Sequence, residues 1–272
     1  MKSITLGQYY PAKSYLHNAD PRAKLIMAFI FILAAFFCKS VIGFAGLVLL
    51  MVAFIAISKI PFKMIYRAVR PILFIMAFTM IINVFFTQGD TLLLEWRFIK
   101  IYLEGVYNAV FMMVRITALV IGSSILITYT TTPIALTDAI ESLFGPLKKI
   151  KVPVHEFAMM MTIALRFIPT LMDEAEKIMA AQKARGADFT NGSLIRRAKA
   201  LIPILVPLFA SSFRRADELA TAMECRCYRG GEGRTKLRVL KYQASDVFGI
   251  IAILLICAML VSANFWGIGY VM

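Results

Sequence analysis

Histidine and tryptophan are almost missing from this chain, with two of each in 272 residues. Cysteine is also scarce: there are four, and Cys38 and Cys257 lie in apolar runs. That leaves no disulfide framework. Cys225 and Cys227 form a CxC pair, but a closed metal site needs further ligands, and only His17 and His155 could add imidazoles. No metal site is expected. Acidic residues are few, 16 against 30 basic ones, a net charge of +14. No GxxxxGK[ST] loop and no HExxH occur. The glycine-rich stretch Gly230-Gly231-Glu232-Gly233-Arg234-Thr235 lacks the lysine and reads as a turn. Glu141, Glu156, Asp173, Glu174 and Glu176 show no nucleophile–base spacing, so no catalytic residues are assigned.

What is abundant is apolar: 60% of the residues are hydrophobic. An ordinary soluble domain has about 45–50%. A nucleic-acid binder of this charge would not be so apolar. A polytopic membrane protein with basic loops fits both numbers. Residues 1–24 are polar and basic and do not read as a cleavable signal.

Five uncharged or nearly uncharged runs predict five membrane-spanning helices: residues 25–38, 41–58, 71–87, 106–127 and 247–266. The first two are separated by a tight turn near Lys39. The first is short unless Arg22 and Lys24 snorkel to the interface. Phe265, Trp266 and Tyr270 read as an interfacial belt at the end of the last span. Residues 154–171 carry His155, Glu156, Arg166 and Pro169, and residues 201–213 hold Pro203 and Pro207. Both read as helices partly embedded in the membrane or packed under it. Basic residues in short loops place the N-terminus in the cytoplasm and residues 88–104 outside. The expected fold class is all-α and polytopic. It has a four-span membrane domain (1–128), a cytoplasmic region of amphipathic helices partly embedded in the membrane (129–244) and a C-terminal span (245–272).

Residues 177–241 hold 14 basic and five acidic side chains. Part of that excess is the ordinary attraction of a cytoplasmic face to anionic lipid. Two amphipathic helices are also legible. Leu171, Met172, Ala175, Ile178 and Met179 share one face, and Ala216, Leu219, Ala220 and Met223 share another. Each helix ends on a small-residue arginine element: Ala184-Arg185-Gly186 and Cys225-Arg226-Cys227. Gly186 and Gly230 read as the helix stops. An arginine at a helix end often only compensates the dipole. Two such ends on consecutive helices favour docking, because a guanidinium presents a planar fork of donors to a partner. Arg115 and Arg166 lie within apolar helices. Each either lines a path for an anion or holds helices together, and the structural role is preferred. Asn83 and Asn108 are candidates for bonds between helices. The many methionines around these helices fill core, or else make an adaptable contact surface.

These residues resemble the transmembrane T component of energy-coupling-factor transporters, an ABC importer class for vitamins and metal ions. The resemblance covers nearly the whole chain. His17-Asn18-Ala19-Asp20-Pro21-Arg22-Ala23-Lys24-Leu25 is similar to the family's H-x-x-D-P-R-x-K-L approach to the first span. Arg115, Thr131-Thr132-Pro133 and Arg166-Phe167-Ile168-Pro169 resemble further family elements. The segments ending Ala184-Arg185-Gly186 and Cys225-Arg226-Cys227 resemble its two Ala-Arg-Gly signatures, with cysteines in place of Ala and Gly in the second.

The resemblance implies two cytoplasmic ABC ATPase partners, docked through Arg185 and Arg226 with their neighbours Ala184, Gly186, Cys225 and Cys227. It implies a substrate-binding S component held on the faces of Leu171, Met172, Ala175, Met179, Leu219 and Met223. The lipid membrane is a further partner, and no nucleic acid is expected. No cofactor is bound directly; ATP is used by the partner subunits, and the chain itself is no enzyme. The competing readings are a stand-alone transporter using Arg115 and Arg166, or a membrane enzyme using Glu156 and His155.

Overall fold

The computed structural model describes residues 9–87, 91–96, 99–187, 189, 193–231 and 240–266. The side chains of Phe265 and Trp266, residue 270 and the turn beyond Gly231 lie outside what is described. The helices, in order, are α1 (Tyr15–Asn18), α2 (Pro21–Phe37), α3 (Val41–Ser58), α4 (Phe62–Val69), α5 (Leu73–Phe86), α6 (Leu103–Ser123), α7 (Pro133–Phe144), α8 (Val154–Ala184), α9 (Leu194–Cys225) and α10 (Ala244–Ser262). Helix α6 continues as a π-helical segment, Ser124–Tyr129. The architecture is all-α apart from one antiparallel ribbon, β1 (Leu92–Trp96) with β2 (Ile99–Tyr102), in the loop before α6.

The chain forms two compact units. One is Gly7–Ala139 with Arg238–Met272; the other is Met1–Leu6 with Ile140–Leu237. Among the described residues, three helices of the first unit are long and apolar enough to cross a membrane: Val41–Ser58, Leu103–Tyr129 and Ala244–Ser262. A fourth candidate is the pair α4 and α5, bent by 55° at its break. The bend falls at Pro71, which lacks an amide hydrogen and disfavours helix at the residue before it. Helix α2 has 17 residues, about 26 Å. The five expected spans thus become three full-length helices, one bent pair and one short helix.

Helix α2 lies at the centre of its unit, against α6 and α10. Phe31 is fully buried and meets Phe54 edge-on at 5.5 Å. It also lies on Gly122 of α6, where a Cβ would come within 2.3 Å of the ring. Only glycine permits that approach. The α2–α3 turn is plugged by Asn264. Its amide oxygen accepts from the backbone N–H groups of Lys39 and Ser40, and its Nδ2 donates to the Phe37 carbonyl.

Lys24 does not snorkel. It is 2% exposed, and its Nζ donates to the carbonyls of Thr130 at 2.9 Å and His17 at 3.2 Å. Asp20 caps α2, with Pro21 at the first helical position. Asp246 is also buried; it accepts from the backbone N–H of Asp20 and that of Gln243. Arg22 pairs with Asp20, donates to the Leu240 carbonyl and lies over the Tyr242 ring. The basic lead-in to the first apolar run is therefore a charge cluster that ties α2 to the start of α10.

The second unit contains α8 and α9, of 31 and 32 residues. The two doubtful apolar stretches are parts of these helices, which run through Pro169 and through Pro203 and Pro207. A proline removes only one backbone bond, and a long helix tolerates that with a kink.

Candidate docking ends and helix faces

Helix α8 ends with Arg185 at its C-cap and Gly186 just beyond, at φ +86. The Gly186 N–H donates to the Lys183 carbonyl and the Ala187 N–H to the Gln182 carbonyl. These are the two bonds of a Schellman cap. Helix α9 ends in the same way. Arg226 follows its last residue, and Cys227 adopts φ +56. The Cys227 N–H donates to Glu224 at 2.8 Å and the Tyr228 N–H to Met223 at 3.0 Å. The helix stop is therefore Cys227, not Gly230. Gly230 also has positive φ, but it belongs to the turn that follows. Each arginine occupies the same place in the same cap. Both are exposed and have no partner among the described residues. Ala184, Gly186, Cys225 and Cys227 are exposed around them. No group of three or more metal-ligating side chains gathers among the described residues.

The two helices pack antiparallel. Position 174 faces 211 and 215: the Arg215 Nη2 donates to the Glu174 carboxylate at 2.8 Å, and Ser211 also bonds it. Position 155 faces 231, where a Cβ on Gly231 would lie 2.6 Å from the His155 ring. By that register Arg226 stands abreast of the start of α8. The two arginines are then at opposite ends of the pair, about 38 Å apart along α8 at 1.5 Å per residue. Donation from Ser211 first, and then the Arg215 charge, holds the Glu174 carboxyl below its ordinary pKa.

Between α8 and α9 lies a groove of about 270 Å³. Leu171, Leu219 and Met223 line it, together with Ile163, Phe167 and Ala216. The structure thus joins three of the residues expected on separate amphipathic faces. Ala175 and Met179 are half-buried nearby in sequence, and Met172 is exposed. None of those three lines the groove.

Arg115 holds helices together in its own unit. Its Nη2 donates at 2.7 Å to the carbonyl of Cys38, the C-cap of α2, and its guanidinium lies 5.2 Å from the Phe44 ring. A helix-end carbonyl has lost its partner within the helix, and the half-buried arginine satisfies it. Arg166 is exposed on α8 and meets neither Glu156 nor Asp173. His155 instead bonds Glu141 of α7 at 2.9 Å. The Glu174–Arg215 and His155–Glu141 pairs had no signature in the sequence. They are formed across elements, and no fixed spacing reports them.

The family model described as cobalt transport protein, CbiQ, matches residues 12–237. The energy-coupling factor transporter transmembrane protein EcfT of Ruminiclostridium cellulolyticum is 55% identical over 247 residues, 91% of this chain and 92% of that protein. EcfT of Clostridium kluyveri is 51% identical over 269 residues, covering 98% and 99%. EcfT of Bacillus subtilis is 44% identical over 260 residues, covering 96% and 98%. With a family-model match over most of the chain and close similarity over almost its full length, the chain belongs to the cobalt transport protein family, that of the energy-coupling factor transporter transmembrane proteins.

Proposed function

We propose that this membrane transport subunit couples two cytoplasmic ABC ATPases to a substrate-binding S component, so that ATP hydrolysis drives uptake of a vitamin or another micronutrient. The observation that carries the reading is the pair of matched caps. Two matching helix ends present two guanidinium groups, without partners among the described residues, at opposite ends of one antiparallel pair. That suits two copies of one kind of partner surface better than a single binding pocket. A Schellman cap fixes the backbone on both sides of each arginine, so little order is lost when the fork enters a groove. The brace at Glu174 and the packed groove make the pair a lever that can pass a displacement at one end to the other. ATP is bound and hydrolysed in the partner subunits, and this chain needs no cofactor of its own. The N-terminus and the arginine-bearing unit lie on the cytoplasmic side, as their basic excess favours.

The test is co-purification with the ATPases, together with ATP-dependent uptake, for Arg185→Glu and Arg226→Glu. Each variant is expected to lose partner subunits and at least about tenfold in uptake, the scale of one lost charged interface pair. Arg185→Lys and Arg226→Lys keep the favourable charge at the helix end but not the planar fork. They should fall between. Normal assembly and uptake by the double Glu variant, at normal expression, would refute the docking role. A stand-alone carrier would instead transport in liposomes without any ATPase.

A further inference from the structure

We infer that α4 is a binding surface for anionic phospholipid headgroups, distinct from the docking ends. No acidic residue occurs between Asp20 and Asp90, yet Lys59, Lys63, Arg67 and Arg70 cluster within that interval. All four are exposed, and none has a carboxylate partner among the described residues. The helix has three faces that follow one another at about 100° per residue. Ile65 is buried in the core, with Met64, Ala68 and Val69 packed beside it. Next come Phe62 and Tyr66, which are 74% and 56% exposed. Then come Arg70, Lys63 and Arg67 on the remaining side. The core face is pinned further by the Tyr129 hydroxyl, which donates to the Met64 carbonyl.

The placement of α4 selects the partner. The helix bends 55° away from α5, whose Phe74 and Phe78 are exposed as on a lipid-facing span. Three unpaired cations would be expensive inside hydrocarbon. A bent helix with neighbouring aromatic and basic faces instead lies in the interface, rings among the acyl chains and cations at the phosphates. The charge is of one sign, so the lipid is anionic.

The test uses the full-length chain in phosphatidylcholine nanodiscs and in nanodiscs that also contain phosphatidylglycerol. The wild type is expected to melt several degrees higher in the anionic discs, and high salt should erode that rise. The triple variant Lys63→Gln, Arg67→Gln, Arg70→Gln should lose at least half of the rise while melting normally in phosphatidylcholine. The triple variant Lys148→Gln, Lys149→Gln, Lys151→Gln, with the same loss of charge, should keep most of it. An undiminished rise in the α4 variant overturns the proposal. So does an equal loss in both variants, which would assign the effect to net charge. Loss of partner subunits in both disc types, with the lipid response intact, would make α4 a protein-docking surface and also overturn it. Should the triple variant fold poorly, Lys63→Gln and Arg70→Gln singly must each lose part of the rise, or the proposal fails.

Discussion

Cys227 occupies, past the end of α9, the left-handed position that Gly186 fills past the end of α8. A side chain there costs roughly 1–2 kcal/mol, and glycine gives back part of that gain through the greater freedom of its unfolded chain. Cys227→Gly is therefore expected to raise the melting temperature slightly, by up to about 1 kcal/mol of stability, and to leave assembly with partners unchanged. Gly186→Ala should lose a similar amount. Thermal unfolding in detergent measures both. The same substitution of cysteine for glycine hid the second helix stop from the sequence, because Gly230, three residues on, looks like the ordinary terminator. Arg115 was readable only as two alternatives. Which one holds depends on a carbonyl 77 residues away.

Among the elements, α8 and α9 carry the candidate site, and their register rests on few polar contacts. The Glu174–Arg215 pair is partly exposed, at 23% and 36%. A double-mutant cycle of Glu174→Ala and Arg215→Ala should therefore give only the small coupling of an exposed ion pair. A much larger value would mean that the brace, rather than the apolar groove, holds the pair. The folded-state pKa of Glu174 is lowered, so its contribution is full above the ordinary carboxylate range and is lost as the pH falls through the folded value. The cycle belongs at neutral pH. The amphipathic stripes of both helices were legible from spacing. That Leu171, Leu219 and Met223 line one groove was not, since periodicity says which face is apolar but not what it meets.

For the molecule as a whole, the joint between α2 and α10 closes the membrane unit through buried charge. Removing the Asp246 carboxylate leaves the N–H groups of Asp20 and Gln243 without their acceptor, and leaves Lys24 with Asp20 as its remaining nearby counter-charge. Asp246→Ala is expected to lower stability by about 1–3 kcal/mol and to speed proteolysis around residues 240–246. Unchanged melting and protease resistance would show that the joint is held by apolar packing alone.

The membrane class, the all-α architecture, the two arginine-tipped helices and the basic excess followed from the sequence by itself. Hydropathy, helical period and cap residues are local, and a window of about 20 residues suffices to state them. Tertiary structure decided what those residues touch. Lys24 turned inward to a carbonyl 106 positions away, and Asp20 met Asp246 across 226. The two arginine-tipped helix ends became opposite ends of one antiparallel pair. Long-range pairings of this kind follow from how whole helix faces pack, and no local pattern encodes them.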